Sequence, residues 1–269
     1  MGCAPEPNYH GRQLIRALRA LREQARLTQE EAGEELNITL QKLSRLENGQ
    51  LPGWHELRAM LDLYRLPTSE WDHYLELWEQ ARKPGWWRQF RLKDPRYVRM
   101  EHEASVKYEF QLGHIPTLLQ TERYARELLS RTAVNSRTAA SELAVRMYQQ
   151  KRLHDDRKLR LHALLHEPTL HHCVDRAQLV RLGKQAELPN VTLQVVPQGM
   201  LHAGLCGSVV LLAFDDPHEP DIAFTDDLIG LSQTQNPRIT TAIRHVLDHL
   251  AATAMTPADS LTLIRKLAR

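Results

Sequence analysis

Apolar residues recur every three or four positions along the first third of the chain, and this period predicts amphipathic helices. A first helix is expected over 12–26, where Leu14 and Leu18 share one face. Periodic stretches over 57–64 and 71–78 predict a fourth and a fifth helix of the same region. The outer face of the first helix is expected to carry five arginines: Arg12, Arg16, Arg19, Arg22 and Arg26.

A short turn is predicted between the second and the third helix. Thr28 and Glu31 have the spacing of a capping box, in which each side chain satisfies a backbone donor at a helix start. Asn37 tolerates a left-handed backbone and should end that helix, and Thr39 is placed to cap the next one. Gly33 lies inside the second helix, where glycine costs about 1 kcal/mol relative to alanine. We therefore expect close packing of the third helix against it.

Proline and glycine interrupt the helical pattern near residue 84, which predicts a domain boundary. The stretch 81–100 carries seven basic residues and one acid. Trp86 and Trp87 lie within it, and paired tryptophans of this kind favour a buried anchor between domains. The segment 83–100 is accordingly predicted to be a basic linker and interdomain anchor.

The rest of the chain alternates between helical and extended patterns, and a layered sheet is the economical fold for such a sequence. We expect an α+β protein: an all-α five-helix domain over 8–82, followed by a mixed α/β domain with a small sheet over 101–269. Helical patterns lie around 100–110, 122–130, 136–153, 175–187 and 237–254, and extended ones at 159–165, 191–196, 207–214 and 221–224.

Composition and charge narrow the class of protein only slightly. The chain is 42% hydrophobic and 25% charged, which is typical of a folded protein. Its net charge is +2, and residues 1–80 hold 9 basic against 13 acidic residues, so nucleic-acid binding would require a local basic surface. No signal peptide and no run of about 18 apolar residues is present, so we expect a cytoplasmic protein without membrane association. The three cysteines lack metal-site spacing and are expected to be free thiols.

The outward face of the predicted third helix has the chemistry of a base-reading surface. Glutamine and arginine can make two hydrogen bonds to adenine and guanine edges, and an exposed leucine can pack on a thymine methyl. A merely solvated helix face is the alternative for such a pattern. The residues expected to face outward are Leu40, Gln41, Lys42, Ser44 and Arg45.

The segment from Leu27 to Gly49 closely resembles the Cro and phage-repressor helix-turn-helix of the xenobiotic-response-element family. The resemblance implies sequence-specific binding to double-stranded DNA and transcriptional regulation. Asn37 stands where the family usually has glycine, and Ala32 where it has an aliphatic residue, which predicts a slightly altered turn. The resemblance also implies phosphate-positioning residues, Gln29 and Asn48, and a groove-facing set, Thr39, Gln41, Lys42 and Arg45.

Residues from about 86 to the C-terminus resemble DUF5753, the effector-like domain that follows such modules in Streptomyces and related actinobacterial regulators. The motifs that carry this resemblance are Gly85-Trp-Trp, Ile115-Pro-Thr-Leu-Leu-Gln-Thr, Val191-Thr-Leu-Gln-Val-Val-Pro and His202-Ala-Gly. Thr117 replaces the glycine that is usual there. The resemblance implies control of morphological development or antibiotic production, often with a small DUF397-type protein partner.

Ionisable residues of the second domain do not form a recognisable catalytic set. His166, Glu167, His202 and Asp226 could do acid–base work, but no nucleophile elbow, phosphate loop or paired carboxylates accompany them, so no enzyme activity and no cofactor is expected. The histidines and the cysteine over 162–173 suggest a metal cluster, but strand alternation favours structural histidines. A ligand or partner site at Glu167 and His202 is a hypothesis, with a helix cap and turns as the alternative.

Three functions follow for testing. The leading one is a homodimeric DNA-binding regulator, because proteins of this class read two half-sites. The second is an antitoxin-like or interaction module that neutralises a small DUF397-type partner and regulates its own operon. The third, an enzyme gated by DNA binding, has little support in the sequence.

Overall fold

A computed structural model divides the chain into two compact units, Met1–Gly85 and Trp86–Arg269. The fold is α+β, with helices in the first unit and helices around a six-stranded sheet in the second. No helix of the described part of the chain is long and apolar enough to cross a membrane. The structure describes residues 7–90, 92, 94–132, 136–155, 159–172, 174–227 and 230–269.

The N-terminal unit packs its helices around one apolar core. Leu14, Leu43 and Leu57, from three different helices, are each 0% exposed in this core. The Trp78 indole of α5 donates a 2.8 Å hydrogen bond to the Pro52 carbonyl, which joins α5 to the segment before α4. The helices are α1 Tyr9–Gln24, α2 Gln29–Glu35, α3 Leu40–Glu47, α4 Trp54–Leu63 and α5 Trp71–Arg82.

The second unit contains a mixed sheet in the strand order β3-β2-β1-β4-β5-β6. The first three strands run parallel to one another, and each later strand is antiparallel to its neighbour. Tyr108 at the centre of the sheet pairs with His162 on one side and with Leu211 on the other. The strands are β1 Val106–Gln111, β2 Arg160–His166, β3 Val191–Val196, β4 Val209–Ala213, β5 Ile222–Asp227 and β6 Gly230–Thr234.

Helices cover both faces of this sheet. Leu161 and Leu193 share one apolar cluster with Leu182 of α9 and Ile264 of α11. The alternate strand positions on the opposite face form a second cluster, which is completed by α10. The helices of this unit are α6 Arg96–Glu103, α7 Glu122–Thr132, α8 Ser136–Gln149, α9 Arg176–Gln185, α10 Pro237–Thr253 and α11 Pro257–Leu267.

The predicted helix around 100–110 is wrong in its second half, which forms the central strand β1. Lys107, Glu109 and Gln111 occupy alternate positions of this strand and are buried although they are polar, so the apolar alternation expected of a strand is absent. The sheet is also larger than the small one expected. The short polar strand β6 and the final helix α11 were not predicted.

The segment predicted as a linker, 83–100, belongs mostly to the second unit, which begins at Trp86. The Trp86 ring stacks on Tyr148 of α8, with centroids 4.2 Å apart and an interplanar angle of 24°. Helix α6 starts inside the same segment. The interdomain role of the two tryptophans stays a prediction.

A buried ion cluster lies where β1 meets α6. The Lys107 ammonium is 2.6 Å from Glu101 Oε2 and 2.8 Å from Glu109 Oε2, and all three side chains are at most 1% exposed. The Tyr97 hydroxyl donates a 2.8 Å hydrogen bond to Glu101. Burial acts to lower the pKa of Lys107, but the two carboxylates outweigh it and hold the pKa well above its ordinary value. The lysine is therefore a fixed cation that joins the strand to the helix.

The irregular segment that begins at Ile115 is held by buried glutamine side chains. The Gln120 amide donates to the Ile115 carbonyl at 2.7 Å. Gln178 of α9 donates to the Leu119 carbonyl at 2.8 Å and accepts from the Thr121 amide at 2.6 Å. Because this backbone has few secondary-structure partners, its buried polar groups need side chains of this kind.

Candidate nucleic-acid interface

Helix α2 begins with the capping box that the sequence predicts. The Glu31 amide donates to the Thr28 hydroxyl at 3.2 Å, and the Thr28 amide donates to the Glu31 carboxylate at 2.8 Å. The Thr28 amide lowers the pKa of the Glu31 carboxyl most, and the Thr28 hydroxyl, which donates to the same carboxylate at 2.9 Å, lowers it further. Local contacts thereby define the residue at which α2 begins.

The turn between α2 and α3 explains both of its unusual residues. Asn37 adopts a left-handed backbone with φ +53°, as predicted. A Cβ built on Gly33 would lie 3.0 Å from the Ile38 carbonyl oxygen, and the Ile38 amide donates to the Gly33 carbonyl at 2.9 Å. Glycine is therefore favoured here by the close approach of the turn backbone, and the start of α3 is also near, with the Leu40 amide nitrogen 3.7 Å from the same Cβ position.

Helix α3 buries one face and exposes the other. Thr39 caps it by accepting a 3.2 Å hydrogen bond from the Lys42 amide. Leu43 lies in the core with 0% exposure, whereas Leu40 is 48% exposed. An aliphatic side chain on the otherwise polar outer face of α3 is available for an apolar contact with a partner.

Five of the predicted site residues come together on this surface. They line a shallow concavity of about 460 Å³ at the outer side of α2 and α3. The set combines two amides, a hydroxyl, a guanidinium and an aliphatic side chain, which are the groups that recognise base edges and thymine methyls in a major groove. The lining residues are Gln29, Leu40, Gln41, Ser44 and Arg45.

A buried ion pair fixes the position of Gln29. Arg22 and Glu47 form a two-pronged pair, with Nε–Oε1 at 2.5 Å and Nη2–Oε2 at 3.1 Å, and the Gln29 amide donates to Glu47 Oε2 at 2.7 Å. Burial acts to raise the pKa of Glu47, but the hydrogen bonds from Arg22 and Gln29 outweigh it and the pKa is lowered. The expectation that Arg22 lies on the outer face of α1 was wrong, because its guanidinium is needed to neutralise this buried carboxylate.

Lys42 and Asn48 do not line the concavity. The Lys42 ammonium forms an ion pair with Glu56 of α4, and the same carboxylate accepts a 2.8 Å hydrogen bond from the Gly53 amide. The hydrogen bond from Lys42, followed by that from Gly53, lowers the pKa of Glu56. Asn48 donates to the Ser44 carbonyl at 2.7 Å. Glu56 was missed in the sequence, although its position three residues after Gly53 is the spacing of a helix-capping glutamate.

The two residues proposed in the second unit, Glu167 and His202, have different surroundings. Glu167 accepts a 3.1 Å hydrogen bond from the Gln198 amide. The His202 ring lies 5.5 Å from that of His166, and in the described part of the chain neither His202 ring nitrogen has a hydrogen-bond partner. Burial, and then the neighbouring His202, lower the pKa of His166. The structure thus forms a histidine pair beside a carboxylate that anchors a loop.

The histidine-rich stretch predicted as a weak metal candidate is only partly described. Within the described ranges, no group of three or more histidine, cysteine, aspartate or glutamate side chains is placed to hold a metal ion. His162 contacts Gln194 instead, with 2.8 Å between Nε2 and Oε1. Cys173 lies outside the described residues.

The capped α2–turn–α3 unit with its polar outer surface is a helix-turn-helix, the architecture of a DNA-binding regulator. A family model described as a helix-turn-helix domain matches residues 13–74, which supports DNA binding and transcriptional regulation. A second model, described as a domain of unknown function, DUF5753, matches residues 95–266. The chain belongs to the DUF5753 family. No curated protein and no solved structure matches it.

Proposed function

We propose that the chain is a sequence-specific transcriptional regulator of the xenobiotic-response-element type, with α3 as the helix that enters the major groove. The observation that carries this proposal is the concavity at the outer side of α2 and α3, where base-reading side chains meet. Gln41 and Arg45 are the main base-reading residues in this proposal. Both side chains are exposed and can make bidentate hydrogen bonds to bases.

Gln29 has a different task in this proposal. Its side-chain amide donates one hydrogen to Glu47. This hydrogen bond fixes the direction in which the second amide hydrogen points. A side chain held in this way at a helix N-terminus is suited to a phosphate oxygen, which positions the protein without reading sequence. Lys42 and Asn48 contribute less directly, since both already have partners within the unit.

The finer parts of the proposal concern the whole regulator. The chain acts as a homodimer on two half-sites, and its second unit responds to a ligand or to a small DUF397-type partner near Glu167 and His202. Its resemblance to actinobacterial regulators supports a role in development or antibiotic production. The proposal assigns no catalytic step to the chain. A small protein that stays bound through purification, together with weak DNA binding, would instead favour the antitoxin-like function.

Fluorescence anisotropy with the chain's own promoter DNA and with scrambled DNA of equal length, at two salt concentrations, tests the base-reading surface. Gln41→Ala and Arg45→Ala should each weaken promoter binding by about 1 to 3 kcal/mol and leave binding to scrambled DNA nearly unchanged. Gln29→Ala should weaken binding to both DNAs equally.

Matched controls are available on the same unit. Gln24 and Arg58 are exposed on α1 and α4, outside the concavity, so Gln24→Ala and Arg58→Ala should leave both affinities unchanged. Equal losses on promoter and scrambled DNA for Gln41→Ala and Arg45→Ala would contradict a base-reading role. Equal affinity of the unaltered protein for the two DNAs would contradict sequence-specific regulation itself.

A further inference from the structure

The two edge strands of the six-stranded sheet, β3 and β6, differ in whether other parts of the chain cover them. At the β3 edge, the Val195 carbonyl accepts a 2.8 Å hydrogen bond from the Met255 amide, and the Val195 amide donates to the Ser260 hydroxyl at 2.9 Å. Gln194 donates to the Met255 carbonyl at 2.9 Å and fixes the same connection. The segment that joins α10 to α11, together with the first turn of α11, therefore covers this edge at Val195 and obstructs the addition of a further strand there.

Within the described residues, positions 231–233 of β6 have no such cover. β6 pairs with β5, with Phe224 opposite Gln233 and Thr225 opposite Ser232. In an antiparallel pair, every second residue turns its N–H and C=O away from the neighbouring strand. In the described part of the second unit, no backbone or side-chain hydrogen bond reaches the outer side of β6 at Leu231, Ser232 or Gln233.

The composition of β6 makes this open edge unusual. Exposed edges are commonly protected against pairing by lysine, proline or a bulge. The sequence of β6 is Gly-Leu-Ser-Gln-Thr, which contains neither a charge nor a proline, and Ser232 and Gln233 are exposed. An uncharged edge strand with solvent-facing backbone groups is a template for another strand.

We propose that β6 pairs antiparallel with β6 of a second copy of this chain, around a two-fold axis at Ser232. This inference rests on the homodimer of the proposed function and assigns its interface. Around that axis Leu231 lies opposite Gln233 of the second copy, and Ser232 lies opposite itself. Self-pairing brings like residues together, and a strand without charges does so without repulsion.

The closed β3 edge argues for a dimer over an open assembly. A sheet with two available edges would add copies at both ends and form a filament, whereas a single available edge makes one isologous contact and stops. Two paired chains also supply two copies of α3, as two half-sites require.

Charge reversal at the axis tests the proposal. Ser232→Lys and Ser232→Glu each place like charges opposite one another, so each variant alone should dimerise at least about tenfold more weakly than the unaltered chain. An equimolar mixture of the two should recover dimerisation, because opposite charges then meet across the axis. Sedimentation velocity over a concentration series measures both effects, and thermal melting confirms that the variants fold.

Thr192 provides the matched control, since it is exposed on the closed edge strand β3. Thr192→Lys and Thr192→Glu should leave the dimer unchanged. A monomeric unaltered protein, or Ser232 variants that dimerise as tightly as the unaltered chain, would overturn the proposal. A mixture that remains monomeric while the single variants are monomeric would also overturn it.

DNA binding separates this interface from the proposed function. The Ser232 variants, tested as the mixture and singly, should keep the affinity of the unaltered chain for a single half-site, and only the mixture should bind the complete promoter site tightly. Promoter selectivity without any effect of Ser232 would reject the β6 interface and leave the regulator intact. Loss of promoter selectivity in the unaltered chain would reject the regulator whatever its oligomeric state.

Discussion

Glu47 links the core of the N-terminal unit to the proposed DNA-binding surface. Its carboxylate neutralises the buried Arg22 guanidinium and at the same time holds the Gln29 amide at the rim of the concavity. A substitution of Glu47 should therefore change both the free energy of unfolding and the DNA affinity. Glu47 is only 7% exposed, so its effect on DNA binding would pass through Gln29.

We predict that Glu47→Gln lowers the free energy of unfolding at pH 7 by about 3 to 5 kcal/mol, because it leaves a buried guanidinium without its counter-ion. The pKa of Glu47 is lowered from 4.5 in the folded chain. Its ionised form therefore stabilises the fold above pH 4.5, and this contribution is lost as the pH falls through the lowered pKa.

The difference between the unaltered chain and Glu47→Gln should accordingly be largest near neutral pH and should shrink in acid, as followed by urea unfolding at several pH values. Glu34→Gln is the control, since Glu34 is exposed on α2. A difference that stays constant from pH 7 down to pH 3 would show that ionisation of Glu47 does not stabilise the fold.

At the scale of elements, the α2–turn–α3 unit depends on close approach of two backbone segments. We predict that Gly33→Ala destabilises the unit by about 1 to 3 kcal/mol, because the new Cβ meets the Ile38 carbonyl and overpacking outweighs the gain in helix propensity. Promoter affinity should fall further than stability alone explains, since displacement of the turn reorients α3.

Urea unfolding and anisotropy on the same preparations measure these two effects. Gly199 offers a comparison, because a Cβ there would meet no atom within 4 Å, so Gly199→Ala should change neither quantity. Unchanged stability and DNA affinity in Gly33→Ala would mean that the turn can relax without moving α3.

Elements whose signals are local could be predicted from the sequence. Thr28, Asn37 and Thr39 each act within a few residues, so the start, turn and cap of the helix-turn-helix were predicted correctly. β1 was not, because the burial of Lys107 depends on Glu101 of α6 and on neighbouring strands, which no local pattern reports. β6 was not predicted, because the sequence pattern of a short uncharged polar strand resembles that of a loop.

The site shows the same division. The outward residues of α3 followed from helical periodicity, and five of the predicted residues line one concavity. The pairing of Lys42 with Glu56 and of Arg22 with Glu47 could not be predicted, because each joins two helices whose packing the sequence does not specify. The pairing of His166 with His202 likewise depends on how a loop returns to the end of β2.

At the scale of the whole molecule, each unit has its own apolar core. We therefore predict that a fragment of residues 1–85 folds cooperatively by itself and retains the base preference of the full chain on a single half-site. On the complete promoter it should bind at least about tenfold more weakly than the full chain, because the proposed dimer contact lies in the other unit.

Circular dichroism during thermal melting reports whether the fragment folds, and anisotropy with half-site and complete DNA reports its binding. The same fragment with Arg45→Ala controls for base reading. Equal affinity of the fragment and the full chain for the complete promoter would show that the second unit does not contribute to DNA binding.

The glutamine contacts of the segment that begins at Ile115 determine when that segment can fold. Gln178 bonds to Thr121 and Leu119 across separations of 57 and 59 residues. Closing a loop of this length costs conformational entropy, which two hydrogen bonds alone do not offset. These bonds therefore form only after α9 has docked on the sheet. During synthesis, the Thr121 amide and the Leu119 carbonyl therefore gain these partners only after α9 has left the ribosome.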